Sequence, residues 1–290
     1  MTEKTNALGE FLRARRDLVT PEQAGLPAHG TRRVPGLRRE EVAMLAGISA
    51  DYYLRLEQGR DTSPSMSVLE SLAAVLQLDE DTTAYLMSLG SPAPRRRRRS
   101  PRRESVPEGI AILVSTLGMP AFVEGRYFDV LAANPLATAL SPRLRVGANR
   151  LRDVFLDPEE KALYPDWESA TERLVAGFRE SVGTDTDDQR FIDLVGELSL
   201  ASPRFRTLWA RHDVRTREGA ETRLEHPQVG MVHLRREKLA VSGVTGVMLV
   251  VYHAAPGSPD AEKLQLLGSL VDSSSPSGAA ARQAHDASRS

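Results

Sequence analysis

The hydrophobic and polar positions of the first 90 residues predict a series of short helices. Apolar residues from Leu8 to Leu18 form a helical stripe, which leaves Arg13, Arg15 and Arg16 on the opposite, solvent side. Prolines and glycines then interrupt the pattern, so residues 19–37 are predicted to be mostly loop. A short helix, a tight turn and a second short helix follow in LRREEVAMLAGISADYYLRLEQGR.

Two polar positions mark the starts of the remaining helices of this region. Ser67 and Glu70 have the spacing of a capping box, and Asp79 can cap a last helix that ends near Gly90. We therefore predict an all-helical domain over residues 1–90.

Residues 91–104 have the composition of a linker. Within them, APRRRRRSPRR contains seven arginines in eleven residues, although the whole chain has a formal net charge of only -1. Because like charges repel and the segment has no apolar periodicity, we expect it to be extended or disordered.

Residues 105–271 combine strand and helix patterns. PAFVEGRYFDVLAANPLATAL predicts two short strands around Gly125 and a helix that starts near Asn134. Helical periodicity extends over residues 150–212, about three further strands are expected between 217 and 253, and one helix closes the domain. An antiparallel sheet with additional helices makes the fold class α+β. Residues 272–290 are predicted to be a disordered tail.

Composition excludes several classes of function. The chain has no cysteine, which rules out disulfides, thiolate zinc sites and cysteine nucleophiles. It also lacks the GxxxxGK, GxSxG and HExxH motifs, and its histidines are irregularly spaced. We therefore expect no enzyme activity, no metal site and no cofactor. No segment is suited to crossing a membrane, so we expect a cytoplasmic protein.

Residues 39–58 have the spacing of a helix-turn-helix. Ala43 is small where the two helices would cross, Gly47 can adopt the positive φ of the turn, and Ser49 is a good N-cap for the second helix. The hydrophobic support under that second helix would come from Ile48, Tyr53 and Leu56. A plain helical hairpin with solvated arginines is the alternative interpretation.

In a helix-turn-helix the second helix lies in the major groove, where its outward residues contact base edges. Arg55 can pair with guanine and Gln58 with adenine, each worth about 1–3 kcal/mol of discrimination. Asp51 can accept from cytosine or brace Arg55. The predicted base-reading residues are Ser49, Ala50, Asp51, Leu54, Arg55 and Gln58. The predicted phosphate contacts are Arg32, Arg33, Arg38, Arg39 and Arg60.

These segments resemble two known families. RRVPGLRREEVAMLAGISADYYLRLEQGR is similar to the DNA-binding domain of xenobiotic-response-element (Cro/repressor-like) regulators. PAFVEGRYFDVLAANPLA, FLDPEEKALYPDWE, GELSLASPRFRTLWARHDVR and HPQVGMVHL resemble the ligand-binding domain of methylenomycin-regulator-like (MmyB-like) proteins. The resemblance implies a PAS-like second domain that accommodates a fatty-acid-like or other apolar small molecule. Ala133 departs from it, because relatives often have a bulky aromatic there.

The second half of the chain contains enough apolar side chains to line a cavity, although the same side chains can simply fill a core. Arg206, Arg211 and His212 are available to bind a carboxylate. The predicted pocket residues are Phe122, Val130, Phe155, Trp167, Phe178, Leu198, Phe205, Arg206, Trp209 and His212.

Together these features predict a transcriptional regulator that binds a double-stranded DNA operator. Residues 105–271 would bind an apolar small molecule, form a homodimer, or both, and a dimer would hold its recognition helices about 34 Å apart. RNA polymerase is a further expected partner, and the protein would be associated with the nucleoid. The alternative is a nucleic-acid-binding scaffold that uses the arginine-rich linker and has a C-terminal domain without a sensing role.

Overall fold

The computed structural model describes residues 6–27, 34–61, 63–90, 104–183, 188–214 and 220–274. Arg32, Arg33 and the arginine-rich segment 91–103 lie outside the described residues. The chain divides into two compact units. The first comprises residues 1–102 and 172–216, and the second comprises residues 103–171 and 217–290.

The elements largely follow the predicted order, which is five helices, then two strands, further helices, three more strands and a closing helix. Before the linker come α1 (Ala7–Leu18), α2 (Arg39–Leu45), α3 (Ala50–Glu57), α4 (Met66–Val75) and α5 (Glu80–Gly90). After it come α6 (Glu108–Thr116), β1 (Ala121–Glu124), β2 (Val130–Ala133), α7 (Pro135–Leu140), α8 (Arg150–Leu156) and α9 (Pro158–Ala162). The chain continues with α10 (Trp167–Val182), α11 (Gln189–Ala201), α12 (Pro203–Ala210), β3 (Ala220–His226), β4 (Gly230–Ala240), β5 (Met248–His253) and α13 (Pro259–Ser274). The α+β class is confirmed.

Side-chain caps set the starts of the helices in the first unit. The Asn6 side chain accepts a 3.0 Å hydrogen bond from the Gly9 N–H, and Asp79 accepts one of 2.9 Å from the Thr82 N–H. The cap of α4 is Ser65, whose side chain accepts from the Val68 N–H. The capping box predicted at Ser67 is therefore wrong by two residues, because the helix already begins at Met66.

The five N-terminal helices enclose one apolar core. Its fully buried members include Phe11, Leu12, Leu37, Val42, Tyr53, Leu56, Leu69, Leu72 and Leu86. Gly9 allows α1 to approach the end of α3 closely, since a Cβ at this position would lie 2.3 Å from the Glu57 carbonyl oxygen. The Asn6 amide donates a 2.7 Å hydrogen bond to that same carbonyl. These contacts fix the position of α3 in the bundle.

The second unit is built on a five-stranded antiparallel sheet of order β2-β1-β5-β4-β3. Alternate residues of β1 contribute to two cores: Phe122 packs in the core that includes α7 and α13, whereas Val123 packs in the core that includes α6. Both faces of the sheet are therefore covered. The five antiparallel strands and additional helices agree with the PAS-like arrangement that the resemblance implied.

Three features differ from the sequence-based expectations. Residues 105–271 are predicted as one domain, and the compact units divide the chain at other points, with residues 172–216 in the unit of the N-terminal helices. Within that unit Asp213 pairs with Arg15 of α1. The helix α6 was not predicted. The tail was expected from residue 272, yet α13 continues to Ser274; residues 275–290 lie outside the described residues.

Candidate nucleic-acid interface

The turn between α2 and α3 has the geometry that the sequence predicted. Gly47 adopts φ +68°, a left-handed conformation that side chains disfavour. The Ile48 N–H donates a 3.0 Å hydrogen bond to the Ala43 carbonyl, and Ser49 Oγ accepts one of 3.1 Å from the Tyr52 N–H. The turn therefore ends α2 and starts α3 within a few residues.

The two sides of α3 differ in exposure. Tyr53 and Leu56 are completely buried in the bundle, and Ile48 packs partly buried against the same core. Among the predicted base-reading residues, Leu54 is half-buried, whereas the exposed ones are Ser49, Ala50, Asp51, Arg55 and Gln58. A helix held by its inner side thus presents polar side chains on its outer side, as groove reading requires.

Arg55 is held by its neighbours on the same helix. Its guanidinium pairs with the Asp51 carboxylate one turn earlier and lies 5.5 Å from the centre of the Tyr52 ring. Asp51 therefore braces Arg55 in the free protein, which was one of the two roles expected for it. The pair is solvent-exposed, so we expect it to contribute only about 0.3–0.5 kcal/mol to stability.

A buried carboxylate joins three helices next to the predicted phosphate contacts. The Glu57 side chain, which has no exposed surface, accepts hydrogen bonds of 2.7 Å from Arg16 Nε and 2.6 Å from Arg39 Nε. Burial raises the pKa of Glu57, but the hydrogen bonds from Arg16 and Arg39 outweigh it, so the pKa lies below its ordinary value. Glu57 is therefore ionised at neutral pH and orients Arg39.

The sequence did not reveal this network. Arg16 was expected on the solvent side of α1, but it is buried because it reaches Glu57 and also donates 2.8 Å to the Leu37 carbonyl. Periodicity assigns an arginine to the outside unless its partner is known, and that partner is 41 residues away in the chain. The feature of the sequence that could have indicated this network is Glu57, an acidic residue at an inward-facing position of α3.

The three predicted phosphate contacts that the structure describes lie near the start of α2 or just after α3. Arg38, Arg39 and Arg60 are exposed, and the Arg38 backbone N–H donates 2.6 Å to the Glu41 side chain, which caps α2. Arg39 differs from the other two because Glu57 holds it. A shallow surface groove is lined by Arg16, Asp17, Val34, Arg38, Arg39 and Glu40.

Six of the predicted pocket residues lie in the first unit. Phe178 and Trp209 are in ring contact at 5.7 Å, and Phe205 stacks on Trp209 at 5.8 Å. Leu198 is buried, and His212 lies 3.1 Å from Arg179. Arg206 is exposed and donates 2.9 Å to the Ser199 carbonyl. These aromatic side chains pack on one another among α10, α11 and α12.

The other four predicted pocket residues lie in the second unit. Phe122 stacks on Tyr252 at 6.4 Å, and Val130 belongs to the same core. Phe155 meets Trp167 edge to face at 6.0 Å. The ten residues are thus distributed over both units. Arg211, which was also considered for a carboxylate, pairs with Asp213 at 3.0 Å.

The second unit also contains a buried ionic cluster that the sequence did not predict. Glu124 on β1 pairs with Lys238 on β4 at 2.7 Å and with Arg150 at the start of α8. Burial lowers the pKa of Lys238 to about 8, a shift that Glu124 opposes and that Arg150 and Arg236 reinforce. The cluster joins the sheet to α8.

Two family models match the chain, one in each part of it. Residues 7–86 match a helix-turn-helix domain, and residues 106–267 match the MmyB-like transcription regulator ligand binding domain. The chain belongs to the MmyB-like transcription regulators. The resemblance seen in the sequence is confirmed, and this regulator is a DNA-binding protein of transcription control rather than a member of an enzyme family.

Other comparisons add little to this assignment. The search of curated proteins finds no match. One similar solved structure is that of an RNA-binding light-oxygen-voltage receptor, with 10% identity and a TM-score of 0.23 over 80% of this chain and 62% of the receptor chain. Within the described ranges, no helix combines the length and apolar character needed to span a membrane. In the same ranges, no group of His, Asp and Glu side chains is placed to hold a metal ion.

Proposed function

We propose that this regulator recognises a specific double-stranded DNA sequence through α3. The observation that carries the proposal is the exposed row of Ser49, Ala50, Asp51, Arg55 and Gln58 on a helix whose opposite side is buried. Arg55 supplies bidentate donors for a guanine edge, and Gln58 supplies the donor and acceptor for adenine. Leu54, which is half-buried on the same helix, contacts an apolar group such as the thymine methyl.

The phosphate contacts surround this row. Arg38 and Arg39 stand at the start of α2, where the helix N-terminus favours an anion, and Arg60 follows α3. Arg39 is the most strongly oriented of them because Glu57 fixes its Nε and leaves its terminal nitrogens for a phosphate. Arg32, Arg33 and the arginine-rich linker add sequence-independent affinity.

The second part of the proposal concerns the effector. The match to a ligand-binding domain supports a small-molecule signal. We propose that this signal is apolar and fatty-acid-like, and no resident cofactor is proposed. Homodimerisation is supported by Ile112 and Leu113 of α6, which are 57% and 41% exposed although both are apolar. The protein would act on chromosomal DNA in the cytoplasm, with RNA polymerase as the machinery that it regulates.

Selection from a random duplex library with the full-length protein tests DNA recognition. We expect enrichment of one motif, and a dimer predicts two half-sites whose centres lie 10–10.5 base pairs apart or a multiple of that spacing. Enrichment of no motif, with binding that depends only on duplex length and salt, would instead favour the scaffold function of the linker.

Native mass spectrometry of the full-length protein tests the effector. A bound apolar molecule appears as a discrete mass increment that organic extraction removes, and returning it should change the affinity for the selected duplex. A protein that carries no increment and whose DNA affinity is unaffected by added fatty acids would refute the sensing part of the proposal.

A further inference from the structure

The N-terminal bundle is packed against helices that come much later in the chain. Phe11 of α1, which is completely buried, makes an edge contact with Tyr85 of α5 at 5.6 Å and with His212 at 6.3 Å. His212 follows the end of α12 and lies within the family match of the ligand-binding domain. A segment of that domain therefore packs against the DNA-binding bundle.

A buried arginine lies at the centre of this contact. Arg179 of α10 stacks on the Trp209 ring at 3.8 Å and donates to the Trp209 carbonyl. Its other terminal nitrogen lies 3.1 Å from His212 Nδ1, which must be the acceptor because an arginine can only donate. Burial lowers the pKa of His212 to about 3, with Arg179 and Arg15 adding to the shift, so the imidazole is neutral.

The Tyr85 hydroxyl connects Arg179 to the bundle. Burial raises the pKa of Tyr85, and the neighbouring Arg179 guanidinium opposes that rise. A guanidinium removed from water is tolerated only where several partners surround it. In the described residues, the partners of Arg179 come from α5, α12 and the residues after α12, while its Nε has no hydrogen-bond partner. These hydrogen bonds therefore form only when these elements are together.

One helix of the bundle contacts both the late segment and the DNA-reading helix. Arg15 of α1 pairs with Asp213 at 2.7 Å, and the next residue, Arg16, donates 2.7 Å to Glu57 at the end of α3. Glu57 in turn holds Arg39, the proposed phosphate contact. Two consecutive arginines of α1 thus join Asp213 to the recognition helix.

We infer that the surface formed by Phe11, Arg15 and Tyr85 is the docking surface for residues 172–183 and 188–214 of this chain, and that this docking couples the ligand-binding domain to DNA affinity through α1. The inference rests on the proposed function. The exposed row of α3 remains open while the late segment is docked, so the docked arrangement is competent to bind DNA. An effector that loosens α10 or α12 would lower DNA affinity.

Two variants of the full-length protein test the coupling. Arg179→Leu removes the buried guanidinium, and Asp213→Asn weakens the half-exposed ion pair with little risk to folding. The matched controls are Arg190→Leu and Asp193→Asn, which alter exposed residues of α11. Amide hydrogen exchange reports on α1, α3 and α5, and titration with the duplex selected from the library reports on affinity.

We expect faster exchange in α1, α5 and α3 for both variants, with the sheet of the second unit unchanged. DNA affinity should fall at least about fivefold, the lower end of measured allosteric couplings. Controls should match the wild type. Unchanged exchange in α1 and α3, or unchanged affinity despite faster exchange, would overturn the inference. A wild-type protein that selects no duplex would refute the proposed function instead, while the exchange data would still decide whether docking supports α3.

Discussion

The guanidinium of Arg39 donates a 2.6 Å hydrogen bond to the carboxylate of Glu57, which is completely buried at the last turn of α3. Arg39 itself is 44% exposed, so one side of its guanidinium is fixed in the protein while the other faces solvent. Because Arg16 shares the same carboxylate, one buried charge sets the relative positions of α1, α2 and α3. The proposed base-reading and phosphate contacts both depend on it.

Replacing this carboxylate should destabilise the bundle strongly. Glu57→Gln removes the buried counter-charge of Arg16 and leaves it paired only with the exposed Asp17 carboxylate at 2.8 Å. We expect a loss of about 3 kcal/mol in the free energy of unfolding. Urea denaturation followed by circular dichroism measures it. Glu40→Gln, at an exposed position on α2, serves as control and should stay within about 0.5 kcal/mol of the wild type. A Glu57→Gln protein as stable as that control would show that the network does not hold the bundle together.

The same carboxylate should make stability depend on pH in the acid range. The folded-state pKa of Glu57 lies below its ordinary value, so its contribution is present above the unfolded-state pKa of about 4.3 and is lost as the pH falls through the folded-state pKa. The stability difference between wild type and Glu57→Gln should be constant from pH 7 to about 5 and shrink below that. A difference that grows on acidification would contradict the ionised state of Glu57.

The turn before α3 should not accept a side chain without strain. Gly47 has φ +68° and open space around its Cβ position, so Gly47→Ala tests backbone conformation without a clash. We expect a loss of about 1 kcal/mol in the free energy of unfolding. Gly196→Ala, in helix α11 and equally free of neighbours, should instead stabilise by up to about 1 kcal/mol. Equal effects of the two substitutions would contradict the strained turn.

Alkaline pH should stabilise the second unit through Lys238. Its pKa is about 8 in the folded protein and about 10.4 in an unfolded chain, so between these values only the unfolded state binds the proton. Stability must then rise with pH across that range, by at most about 3 kcal/mol. Urea unfolding at pH 7.5 and 9.5 should show this gain for the wild type and a smaller one for Lys238→Met. An identical gain in stability for both proteins would show that titratable groups other than Lys238 cause it.

The sequence was most informative where a local rule decides the structure. Gly47, Ser49 and Asp79 were predicted in their turn and cap positions because the backbone itself requires such residues there. The five strands and most helices followed from periodicity. The predicted outward side of α3 is exposed, although its contacts with bases remain a prediction.

Long-range ionic partners were beyond what periodicity can predict. Arginine is a residue type that normally faces solvent. Arg16 and Arg179 are nevertheless buried, because partners distant in the chain surround them. Residues 172–214 could not be assigned to the bundle for the same reason, since Asp213 and Arg15 are 198 positions apart. Because residues 172–216 belong to the first unit, the predicted pocket residues of that segment belong to a different unit from the other four.

The most direct test of sequence reading by α3 is a competition titration of wild type and Arg55→Ala on the selected duplex and on a shuffled duplex of the same composition. If Arg55 contacts a guanine edge, the substitution should weaken binding to the selected duplex by about 1–3 kcal/mol and leave binding to the shuffled duplex nearly unchanged. Arg38→Ala, which alters a proposed phosphate contact, should weaken both about equally. An equal loss on both duplexes for Arg55→Ala would contradict base reading by this residue.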